Sequence, residues 1–90
     1  MTRKQWVESR IKAQPVFESK ESAIRAAIKA NKNMAVNEVW KEPESRGGRY
    51  VVASPESFEV LYNEKYKRVL DSSMLVDIER GEHVDEINEF

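Results

Sequence analysis

The chain has 90 residues with 15 Lys/Arg, 16 Asp/Glu and no cysteine, for a formal net charge of −1. That length supports one domain with a thin stability margin, since such a chain buries only about 60–65% of its unfolded surface. The composition excludes disulfides, thiolate catalysis and cysteine-ligated metals. A charged fraction of 34% at so small a net charge argues against general disorder.

Thr2 and Gln5 have the spacing of a capping box, with Trp6, Val7 and Ile11 lining a helix over about residues 3–13. Pro15 ends it, because the residue before proline avoids the α region. Pro15-Val16-Phe17-Glu18 reads as a short strand. Ser19 then caps a second helix, with Glu21 in its first turn and Ile24, Ala27 and Ile28 on its apolar face. Asn31-Lys32-Asn33 closes it.

Residues 34–41 alternate as a strand, except that Val39 and Trp40 are adjacent, which predicts a bulge or a phase shift. Glu42 to Gly48 is a turn by composition, and Arg49-Tyr50-Val51-Val52-Ala53 is β-branched and aromatic, so 34–53 reads as a hairpin. Ser54 then reads as the cap of a third helix whose first residue is Pro55, a favoured first helical residue, and Phe58, Leu61 and Tyr62 form the expected buried stripe. Beyond it the pattern allows two outcomes: a strand over Tyr66–Ser72, or one helix over 55–72 through Phe58, Tyr62, Tyr66 and Val69.

An internal echo favours the strand. Ser19-Lys20-Glu21-Ser22 returns as Ser54-Pro55-Glu56-Ser57, and the same offset matches Val16 with Val51 and Lys32 with Lys67. Two β-α-β units joined by a hairpin give a split β-α-β-β-α-β, ferredoxin-like α+β fold with both helices on one face of an antiparallel sheet. The expected domain spans residues 1–76, followed by an acidic tail over 77–90.

Charge is divided along the chain. Residues 1–70 hold 14 Lys/Arg against 9 Asp/Glu, net +5, and residues 71–90 hold one Arg against 7 acids, net −6. His83, the one histidine, lies in the tail beside Glu82 without the sheltered partner that acid–base catalysis requires. The serines are accounted for as helix caps, and no EF-hand spacing occurs. Neither enzyme nor cofactor nor metal site is expected.

Arg46-Gly47-Gly48-Arg49-Tyr50 and the cluster Lys65, Lys67, Arg68 combine cations with tyrosines, which suits phosphate contact and base stacking. The consensus of RNA-binding modules with this topology is absent. Asp85-Glu86-Ile87-Asn88-Glu89-Phe90 resembles the acidic tips of single-stranded-DNA-binding proteins over six residues, with no OB-fold pattern upstream. That resemblance implies an aromatic ring and carboxylate docked in a partner's pocket.

The expected function is therefore a non-catalytic protein-interaction module, an adaptor or inhibitor. Small charged modules of this kind are common among viral and mobile-element regulators. A partner would meet the open sheet face at Trp40, Arg46, Arg49 and Tyr50, with Ile87 and Phe90 of the tail as a second contact, and a homodimer could use the same face. The alternative is a nucleic-acid-binding accessory protein using Arg46, Arg49, Lys65, Lys67 and Arg68, with the tail regulating access. No apolar run approaches the roughly 20 residues that cross a bilayer. No signal-like segment follows the charged start, so a cytoplasmic setting is expected.

Overall fold

Thr2 opens the first helix, α1 (Arg3–Lys12), through a complete capping box: its Oγ1 accepts from the Gln5 N–H at 3.1 Å, and Gln5 Oε1 accepts from the Thr2 N–H at 2.9 Å. In the computed structural model, which describes residues 1–32, 36–79 and 81, there follow β1 (Val16–Phe17), α2 (Lys20–Asn31), β2 (Glu38–Lys41), β3 (Tyr50–Ala53), α3 (Phe58–Asn63), β4 (Lys67–Leu70) and α4 (Ser72–Glu79). Ser19 caps α2 by accepting from the Ser22 N–H at 3.1 Å. Its counterpart Ser54 precedes a 3-10 turn (Pro55–Ser57) and makes no side-chain cap, so the echoed motif starts two helices by different means.

The hairpin forms with β2 and β3 antiparallel, Val39 opposite Val52 and Trp40 opposite Val51. Its turn carries a 3-10 segment (Glu44–Arg46) followed by Gly47 and Gly48, both with positive φ. Gly48 holds φ 65°, a conformation that residues with a Cβ rarely adopt, which is why this position takes glycine. Val16 and Val51, matched by the repeat, face each other across β1 and β3.

A Schellman closure ends α3. The Tyr66 N–H donates to the Leu61 carbonyl at 2.9 Å and the Lys65 N–H to the Tyr62 carbonyl at 3.2 Å. Lys65 occupies the left-handed position, φ 71°, where glycine is usual. The chain then enters β4, so residues 55–72 are helix plus strand.

Strand order is β1-β3-β2-β4, with all three pairings antiparallel. β1 and β2 are thus parallel with β3 between them, and β3 and β4 are parallel with β2 between them. Both crossovers step in the same direction across the sheet, but their strands run in opposite directions. Right-handed crossovers then require α2 and α3 to lie on opposite faces. They do: α2 and α4 pack on Val39, Val52 and Leu70, whereas α1 and α3 pack on Trp40, Val51 and Ala53.

This corrects the expected arrangement, in which both helices shared one face and the other stood open. Trp40 is 4% exposed, inside the α1–α3 layer, and Val39 is buried on the reverse side. Val39 and Trp40 are adjacent because both faces of the sheet are buried. A register shift does fall between them, against β4, where Val69 is the extra residue.

The expected domain boundary after residue 76 falls inside α4, and Ile78 beyond it is 4% exposed in the core. Asp71 starts this helix by accepting from the Met74 N–H at 2.9 Å and the Ser73 hydroxyl at 2.7 Å. Of the expected tail, residues 77–79 are helical, Gly81 follows in a turn, and the rest lies outside the described residues.

Candidate functional site

The expected hairpin constellation is dispersed by the fold. Tyr50 lies on the α2–α4 side of the sheet, opposite to Trp40, with the Lys41 ammonium 5.8 Å above its ring. Arg46 Nη2 lies 2.7 Å from Glu8 Oε1 and 3.3 Å from Glu64 Oε1. Arg49 binds Glu42, whose Oε1 accepts from its Nε at 2.9 Å and its backbone N–H at 3.1 Å. These pairs raise both arginine pKa values, the hydrogen bond that each guanidinium donates to its carboxylate being the main cause. Guanidiniums so engaged offer little to a phosphate. His83, Ile87 and Phe90 lie outside the described residues.

The other basic cluster is better placed. Lys65 and Lys67 are exposed and form no ion pairs among the described residues, while Arg68 reaches the buried Glu38 carboxylate only at 3.5 Å. Lys67 and Arg68 stand on β4, at one edge of the sheet. Beside them α3 presents Phe58 and, one turn later, Tyr62, which is 73% exposed. The predicted burial of Tyr62 is thereby corrected: Val60 and Leu61 take the inward positions of this short helix.

Between α3 and β4 lies a groove of about 510 Å³. Trp40 and Tyr66 form its inner wall, Phe58 and Tyr62 one side, and Lys67 and Arg68 the other, with Glu59 on the helix side. The Trp40 and Phe58 rings are tilted by 36° with centroids 5.9 Å apart, within the range of favourable aromatic pairs. The Trp40 indole N–H is buried without a hydrogen-bond partner among the described residues. The groove thus joins an aromatic surface and two cations.

Phe58 escapes sequence reasoning as a site residue because its four-residue spacing from Tyr62 also fits a buried stripe, whereas Tyr62 reads from the sequence both as part of that stripe and, with Tyr50 and Tyr66, as a stacking surface. The exposed neighbours Asn63 and Lys65 mark how short the helix is. No group of three His, Asp or Glu suited to a metal ion occurs among the described residues, and no described helix is long and apolar enough to cross a membrane. No protein-family model matches this chain, and no curated protein or solved structure is significantly similar to it.

Proposed function

We propose that this protein is a non-catalytic protein-interaction module that captures an extended, acidic segment of a partner protein in the groove between α3 and β4. The observation carrying this reading is an aromatic groove of about 510 Å³ bordered by Lys67 and Arg68 on an edge strand. An incoming strand would pair with the free side of β4, set an apolar or aromatic side chain against Phe58 and Tyr62, and place acids opposite the two cations.

Charge argues for an acidic partner strand over a second copy of this chain. Two β4 strands meeting about a two-fold axis would gather two copies of Lys67 and Arg68 on one short ladder with no acid between them, a concentration of like charge that an acidic strand avoids. Nucleic acid is the second reading, favoured by the exposed Tyr62 beside Lys65 and Lys67, and opposed by the carboxylates that hold Arg46 and Arg49.

Selection from a random dodecapeptide display library tests the first reading. Enriched peptides should alternate acids with β-branched or aromatic residues, and the double variant Lys67→Glu/Arg68→Glu should lose them. Labelled single-stranded DNA and RNA, titrated by anisotropy at low salt, test the second. Enrichment of basic peptides, or tight salt-sensitive binding of the oligonucleotides with no peptide enrichment, would reject the peptide reading.

A further inference from the structure

Positive charge at the groove between α3 and β4 exceeds what the neighbouring carboxylates balance. Lys67 and Arg68 border it and Lys65 stands just beyond the end of α3, with Glu59 as the one acid among the described residues of its walls. Of the carboxylates nearby, Glu64 is held by Arg46 at 3.3 Å, and the buried Glu38 meets Arg68 at 3.5 Å. The exposed Tyr62 ring stands beside these cations. A surface both aromatic and cationic is matched by a segment both apolar and acidic.

The chain carries such a segment. Residues 82–90 hold Glu82, Asp85, Glu86 and Glu89 and neither Lys nor Arg, a net charge of −4, with Val84, Ile87 and Phe90 among the acids. They lie outside the described residues, and they follow Gly81. α2 covers β1, β3 and β2, and α4 lies beside it, directly after β4 in the chain. Lys32 meets Glu79 at 3.6 Å, which sets the end of α4 by the end of α2. Nine extended residues span about 30 Å at most. The smallest dimension of the molecule is 16 Å, so the segment is long enough to round the β4 edge and reach the groove on the other face.

We infer that residues 82–90 occupy the groove of their own chain when no partner is bound, and that a partner strand must displace them. This rests on the reading of the groove as an acceptor of acidic, extended segments, and adds its regulation. The acids of the segment neutralise Lys65, Lys67 and Arg68, while Ile87 and Phe90 cover Phe58 and Tyr62. A short tether gives the segment an effective concentration in the millimolar range, so partner strands that bind no better than it does are turned away.

Amide and indole NMR spectra of three forms of the full chain provide the test. They are the unchanged chain, Glu82→Gln/Asp85→Asn/Glu86→Gln/Glu89→Gln, and the charge-preserving Ile87→Ser/Phe90→Ser. Each is also titrated with a dodecapeptide that alternates Glu with Val around one central Phe. Both variants should shift the resonances of Trp40 and residues 58–70, and these differences should shrink at high salt. Both should bind the peptide more tightly, by about fivefold, the ratio of a tether concentration of several mM to a segment affinity on the order of 1 mM.

The inference is overturned if the three spectra agree at Trp40 and residues 58–70, or if they differ elsewhere instead, as at the exposed Trp6 beside Arg3 and Lys4. Differences that grow with protein concentration would assign the segment to a second copy and overturn it too. So would a gain of affinity confined to the four-acid variant, since net charge alone would then account for it. If every form binds the peptide equally, the self-occupancy fails and the capture site stands; if no form binds it, both fail.

Discussion

Arg46 in the hairpin turn donates to Glu8 on α1 across 38 residues of chain, with Nη2 2.7 Å from Oε1. The same guanidinium touches Glu64 at the end of α3, so one side chain ties the turn to both helices of that layer. A residue that reads in the sequence as a phosphate ligand is thus a structural clamp.

That clamp has a pH signature. The hydrogen bond from Arg46 holds Glu8 below the ordinary carboxylate pKa, and the Met74 N–H followed by the Ser73 hydroxyl does the same for Asp71. Both groups are lower in the folded than in the unfolded chain. Their contribution is complete above about pH 5 and is lost as pH falls through the depressed folded values. The urea midpoint should be flat from about pH 5 to 7 and fall at lower pH, and Glu8→Gln with Asp71→Asn should make that fall shallower. An unchanged acid limb in the double variant would reject both assignments.

Lys65 holds φ 71° without a glycine's freedom, and its side chain is exposed. Lys65→Gly should raise stability by about 0.5–1 kcal/mol, because the left-handed conformation costs a residue with a Cβ about 1–2 kcal/mol and glycine's looser unfolded state offsets part of the gain. Urea denaturation reads this directly. A loss of stability would show that the position is not strained.

Trp40 and Tyr62 border the same groove but differ in what they support. Trp40→Ala should cost about 3–5 kcal/mol, a large share of the margin of a 90-residue domain. Tyr62→Ala should change stability by no more than about 0.5 kcal/mol while weakening peptide capture. Thermal unfolding of the two variants, beside binding by the second, separates core from recognition surface.

Tyr66→Phe removes a buried hydroxyl that makes no hydrogen bond of ordinary geometry among the described residues, although Glu42 lies near it. The change should stabilise the domain by about 1 kcal/mol, the desolvation cost of a poorly paired polar group. A comparable loss would mean that the hydroxyl is already satisfied in the free protein.

The local signals in the chain were legible because each has a short-range cause. Thr2 with Gln5, Ser19 with Ser22, and Gly47-Gly48 act within four residues, and α1, α2 and the hairpin turn follow from them. The placement of β4 beside β2 rests on long-range choice, and no residue of β4 announces it. That choice moved α3 to the other face and closed the sheet surface expected to stay open. The buried pair Val39-Trp40 was the available hint, since an apolar run without alternation marks a strand covered on both sides. α4 was hidden by the acids around it, although Asp71 with Leu75 and Ile78 one turn apart is a sufficient helix signal. Ion pairing of Arg46 and Arg49 depended on which carboxylates the fold brought near, and composition does not record that.

The most direct measurement is chemical-shift mapping with a dodecapeptide that alternates Glu with Val around one central Phe, beside its Lys-for-Glu counterpart. The account predicts shifts from the acidic peptide confined to Trp40 and residues 58–70, with slowed amide exchange at Lys67–Leu70, and their loss in Lys67→Glu/Arg68→Glu. Equal binding of the basic peptide, or shifts that leave α3 and β4 untouched, would contradict it.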